Sequence, residues 1–199
     1  MEMMEMQPPT ESESSRIWVH EFDTASAEAF ADQVLTISEN DRSEPIVVYI
    51  DSPGGYIDGL ATMISVMDSV PNPFITIVTG HAMSAGAILF SHGDVRCVGP
   101  HARIMIHECS GGLHGNAKDV ENEARELARL NRYFGGILAR NCGKTFRELE
   151  AMYNKRREIY LSPQQAREFG IADHIGIPLL DRHIGFELKF HPKTKKGSK

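Results

Sequence analysis

The feature that most constrains this chain is the run Phe74-Ile75-Thr76-Ile77-Val78-Thr79. It leads directly into Gly80-His81-Ala82-Met83-Ser84-Ala85-Gly86 and then into Ala87-Ile88-Leu89-Phe90. The first run reads as a buried strand and the last as the start of a helix. Glycines on either side of Ser84 let the backbone bend sharply between the two. Ser84 then stands at a strand-to-helix corner, its hydroxyl beside the first free N–H groups of the helix. Developing negative charge is favoured there. A nucleophile needs that position, but an ordinary corner capped by Ser84 would use the same residues. The segment alone leaves both readings open.

The rest of the chain supplies a frame for that corner. Its 199 residues suffice for one domain with a substantial core. The hydrophobic fraction of 41% and charged fraction of 24% are those of a water-soluble globular protein. No apolar run approaches the roughly 20 residues needed to cross a bilayer. Met1–Met6 lacks the basic and apolar stretches of a signal peptide, so the cytoplasm is the expected compartment and no membrane partner is expected. The three cysteines, Cys97, Cys109 and Cys142, are widely spaced and contain no Cys-x-x-Cys pair. Reduced thiols are expected rather than a disulfide framework or a metal site. A net charge of −6 argues against nucleic acid as a partner.

Residues 1–15 are polar and acidic and read as a disordered leader. From Ile17 the pattern alternates: a helix over Ala25–Ile37, a buried strand over Ile46–Ile50, a tight turn at Asp51-Ser52-Pro53-Gly54-Gly55, and a helix over Ile57–Val70. Short strands are predicted at Val95–Val98 and Arg103–Ile106. This β-α-β-α order implies a mostly parallel sheet covered by helices, an α/β fold. Ala117–Asn141 reads as one helix, N-capped by Asn116 and roughly 37 Å long. A helix of that length is expected to project and bury its Val120, Ala124, Leu127 stripe on another subunit, or else to cross its own domain. Capping boxes at Thr145 and Ser162 start two shorter helices. The folded unit is therefore expected to span 16–178, with a C-terminal extension at 179–199 that ends in a lysine-rich tail.

Acyl transfer by serine requires a base for the hydroxyl proton, a group that orients the base, and N–H donors for the oxyanion. His107 ends the strand Arg103-Ile104-Met105-Ile106, and a strand end aims a side chain into a cleft from a rigid support. Gly54 and Gly55 follow a buried strand and leave backbone N–H groups uncovered. Each segment alone could be purely structural.

Together, Tyr49–Gly55, Gly80–Gly86 and Arg103–His107 resemble the proteolytic subunit of the Clp protease family. The stretch from Tyr160-Leu161-Ser162-Pro163 to Glu168–Asp173 looks like that family's closing segment. The resemblance runs from about Ile17 to Ile175. It implies a crotonase-like fold of stacked β-β-α units, with Ala117–Asn141 as the handle helix joining two rings. It also implies Ser84 as nucleophile, His107 as general base, and the N–H groups of Gly55 and Ala85 as the oxyanion hole. Gly111, Gly112 and Leu113 would lie beside an extended polypeptide substrate. Seven subunits would form a ring and two rings a tetradecamer, with a ring-shaped ATPase unfoldase as partner and no cofactor.

The sequence departs from the family pattern in three places. Glu158 stands where the family's third triad member is an aspartate; it is expected to orient His107, with a surface charge as the alternative. Glu108-Cys109 follows the base, where the family usually has Gln-Pro. Met1–Ser15 is unlike the stretch that forms the family's axial loops, which leaves the ATPase open, whereas Ile184-Gly185-Phe186 resembles the tripeptide such ATPases use to dock. The expected activity is a serine endopeptidase acting inside a ring-shaped compartment. The alternatives are a catalytically silent or regulatory ring subunit and a crotonase-type acyl-CoA enzyme.

Overall fold

The computed structural model describes residues 16–112, 114–155, 157–181 and 187–189. The acidic leader, Leu113, the Ile184–Phe186 tripeptide and the lysine-rich tail lie outside the described residues. Along the chain the elements are β1 (Arg16–Val19), α1 (Thr24–Asn40), β2 (Ile46–Ser52), α2 (Ile57–Ser69), β3 (Phe74–Met83), α3 (Ala85–Ser91), β4 (Val95–Val98) and β5 (Arg103–His107). They continue with α4 (Ala117–Asn141), α5 (Phe146–Tyr153), β6 (Glu158–Leu161), α6 (Pro163–Phe169), β7 (His174–Ile175) and the hairpin β8 (Leu179–Asp181) and β9 (Glu187–Lys189). This is a mixed α/β architecture with a mostly parallel sheet and, among the described residues, six helices.

The main sheet has seven strands: β1-β2-β3-β4-β7 run parallel in that order, β5 pairs with β3, and β6 pairs antiparallel with β5. Its helix-covered face carries the core. Val48, Ile50, Leu60, Phe90 and Ile104 are fully buried there, together with Phe22 and Phe30. The other face carries a smaller apolar cluster of Val47, Ile75, Ile77 and Cys97, with Tyr49 half-buried beside it. Apolar residues on both faces account for the unbroken hydrophobic reading of β2 and β3.

The expected strand over Phe74–Thr79 is longer than its apolar run suggests and continues through Gly80 to Met83. The cause is a change of partner. Ile75–Val78 pair with β4, and His81–Met83 then pair with β5, so the backbone hydrogen bonds carry on past Gly80. An Asp51 carboxylate oxygen sits 2.5 Å from where a Cβ on residue 80 would stand, so a larger residue there would displace that carboxylate. Asp51 also accepts from the His81 N–H at 3.0 Å and pairs with the His81 ring at 2.6 Å. Those contacts tie the ends of β2 and β3 together just before Ser84.

Helix α4 begins at Asn116, whose side chain accepts from the N–H groups of Lys118 and Asp119 in a full capping box. Its last part, Phe134 to Ala139, is buried, whereas most of its first half is exposed. The expected capping boxes at Thr145 and Ser162 are both formed.

Candidate active site

Ser84 stands between β3 and α3 with φ 54° and ψ −119°, the only non-glycine residue at positive φ among the described residues. A non-glycine residue there is strained by about 1–3 kcal/mol and persists only where its surroundings fix it. Three contacts do so. The Ser84 N–H donates to the Met105 carbonyl at 2.9 Å, which ties the corner to β5. The Ser84 carbonyl accepts from Ala87 and Ile88 at 3.0 and 3.3 Å, opening α3. Gly54 presses on the corner from the other side: a Cβ there would lie 2.8 Å from Ser84 Cβ and 2.8 Å from the Met83 carbonyl oxygen. With its own φ at +100°, residue 54 has to be glycine on both counts. The side chain of Ser84 caps nothing and so remains free for chemistry.

His107, at the end of β5, meets that hydroxyl with Nε2 2.7 Å from Ser84 Oγ. If Nε2 accepts the hydroxyl proton, the ring's hydrogen sits on Nδ1, and no described residue accepts from Nδ1. Glu158 lies directly opposite His107 in the antiparallel β5–β6 ladder. Its carboxylate accepts from the Tyr160 hydroxyl at 3.0 Å, and among the described residues no hydrogen bond joins it to His107. Glu108 is occupied elsewhere: its Oε1 accepts from Asn131 Nδ2 of α4 at 3.0 Å. Asp173 is held in the fold by Arg96, 2.6 Å away.

The N–H groups of Gly55 and Ala85 have no acceptor among the described residues. Both residues line a cleft of about 280 Å³ together with Ser84 and His107. Leu60, Ile88, Leu127 and Leu130 give the cleft an apolar wall, and Asp58, Cys109 and Ser110 contribute polar groups. Gly111 and Gly112 follow that wall and are exposed. Cys109 also brings a thiol to the cleft. Burial, with some help from the Glu108 charge, pushes its thiol up to about 11, so it is a neutral thiol at physiological pH. The linings from α4 and from Cys109–Ser110 escaped the sequence reading, because only the folded chain brings α4 beside the Ser84 corner.

A strained serine at a strand–helix corner, hydrogen-bonded to a histidine and sharing a cleft with Gly55 and Ala85, is an arrangement that can support acyl transfer. A scan of known protein families matches residues 12–178 to Clp protease, so the chain belongs to the Clp protease family and is a ClpP-like peptidase at family level. Members of that family generally form oligomeric rings. No described helix is long and apolar enough to cross a membrane.

Proposed function

We propose that the chain is a serine endopeptidase in which Ser84 attacks a peptide carbonyl and His107 takes its proton. The 2.7 Å contact between His107 Nε2 and Ser84 Oγ, made at a strained corner, is the observation that carries this reading. The tetrahedral oxyanion would sit between the N–H groups of Gly55 and Ala85, at the positive end of α3. His107 then returns the proton to the leaving amine. Water, activated by the same imidazole, hydrolyses the acyl-enzyme. Glu158, on the facing strand, would orient His107 and stabilise the imidazolium once its carboxylate turns from Tyr160 to the ring. Gly111, Gly112 and Leu113 border the path of an extended polypeptide. Seven-membered rings stacked through α4, in the cytoplasm, would enclose the sites, and a ring-shaped ATPase would deliver unfolded chains.

A fluorophosphonate probe tests the reading, because it reacts only with an activated serine. Labelling of the assembled protein at Ser84, abolished in Ser84→Ala and reduced at least 100-fold in His107→Ala, is the expected result. An assembled ring in which Ser84 stays unmodified would sink it. One observation favours a second reading, a catalytically silent ring subunit: Glu158 bonds Tyr160 and leaves His107 without an orienting acceptor. Intact rings that cleave no unstructured peptide, even with an ATPase present, would decide for it.

A further inference from the structure

The two strands that carry His107 and Glu158 place a third polar side chain on the same surface. The β5–β6 register sets His107 opposite Glu158 and Met105 opposite Tyr160. Side chains alternate along a strand, so His107, Glu158 and Tyr160 all stand on one face of the ladder. Ile159 and Leu161, which point the other way, are buried and anchor β6. Glu158 and Tyr160 are exposed, so either can rotate without moving the strand.

The Glu158 carboxylate therefore has two neighbours that want the same lone pairs. One is the Tyr160 hydroxyl, which holds Oε2 at 3.0 Å. The other is the Nδ1–H of His107, directly across the ladder. Glutamate carries one methylene more than aspartate, which gives residue 158 the reach to turn to either side. We propose that Tyr160 is a positioning residue that holds Glu158 away from His107, so that triad alignment requires the carboxylate to exchange the phenol for the imidazole. The exchange involves rotation about side-chain bonds and one hydrogen bond lost for one gained. It becomes favourable as His107 takes the serine proton, because a carboxylate bonds a cationic imidazolium more strongly than a neutral phenol. The phenol stays a donor at neutral pH, since its bond to Glu158 raises its ionisation above the ordinary tyrosine range. Arg103, on the same strand face, opposes that rise without cancelling it.

The proposal rests on the serine-peptidase reading, and the test keeps the two apart. Tyr160→Phe removes only the hydroxyl from an exposed ring, so folding is retained. In the assembled protein, the maximal rate of fluorophosphonate labelling at Ser84 is expected to rise roughly threefold to tenfold, with the half-saturating probe concentration unchanged. In a Glu158→Gln background the same substitution should give no gain, because Tyr160 acts through that carboxylate. Tyrosine titration, taken as the difference from Tyr160→Phe, should show the Tyr160 phenol ionising at lower pH in Glu158→Gln than in wild type. Labelling of wild type with an equal or slower rate in Tyr160→Phe overturns the clamp alone, as does a gain that persists without Glu158 or a Tyr160 titration indifferent to it. No labelling of Ser84 in any variant overturns the peptidase reading, and the role of Tyr160 falls with it.

Discussion

At the scale of single residues, the site depends on a serine held where serine does not want to be. Its φ of 54° is sterically costly for any side chain and costs glycine little. Comparing Ser84→Gly with Ser84→Ala isolates that strain, since both lack the hydroxyl. The glycine variant is expected to be more stable by about 1 kcal/mol in chemical denaturation, with both devoid of labelling. Equal stability would mean that the corner is relaxed. Cys109 supplies the complementary prediction. Because burial lifts its thiol to about 11, alkylation by iodoacetamide should be slow at pH 7 and accelerate steadily up to about that pH. Fast alkylation at neutral pH would reveal a thiolate and a competing nucleophile in the cleft. Ser84 and His107 could be singled out from the sequence because each sits at an element boundary marked by glycine or by the end of an apolar run, and the fold brings both to one cleft with Gly55 and Ala85. The partner of Glu158 was not legible. Which neighbour a carboxylate bonds is decided by rotation between two side chains on one face, and nothing in the order of residues records that choice.

Among the elements, the sheet needs a device to hold β4, β7 and the root of α4 in place behind the elbow. Arg96 is that device. Its Nε and Nη2 bond the two oxygens of Asp173 at 3.0 and 2.6 Å, and its Nη1 bonds the Asn141 carbonyl at the end of α4 at 2.7 Å. Burial alone would raise the Asp173 carboxyl, but the bonds and charge of Arg96 outweigh it and hold the group below its ordinary 3.8. A carboxyl that titrates lower folded than unfolded stabilises the fold at neutral pH, and the contribution disappears as pH falls through the region below 3.8. Asp173→Asn should therefore cost about 0.5–1 kcal/mol at pH 7, the exposure of Asp173 screening the pair, and its difference from wild type should shrink as denaturation is repeated at progressively lower pH. A pH-independent difference would point to packing instead. Element boundaries were legible where a cap marks them, as at Asn116, Thr145 and Ser162. The end of β3 was not, because its last residues owe their strand character to pairing with β5, a partner more than 20 residues away in sequence.

On the scale of the whole molecule, α4 is the element that one domain does not explain. Its last part is buried between the sheet's helices, yet the half from Ala117 onward is mostly exposed and carries its own support. Glu121 pairs with Arg125 one turn on, and Glu126 pairs with Arg129 at 2.6 Å. Such pairs add about 0.2–0.5 kcal/mol each and keep a helix formed without tertiary packing. The same helix sends Leu127 and Leu130 down to the cleft wall, so a contact made on α4 would be mechanically connected to Ser84. If this half is the handle between rings, a charge introduced on its exposed stripe should break stacking while leaving each subunit folded. Ala124→Arg is the variant of choice, because Ala124 is exposed in the single chain and the substitution should change subunit stability by less than about 0.5 kcal/mol. Sedimentation velocity is expected to show the largest species reduced to about half its mass. Ser84 labelling should fall with it, as the wall formed by Leu127 and Leu130 loses its support. Unchanged sedimentation would remove α4 as the handle and leave its first half as a solvated arm held by its own ion pairs.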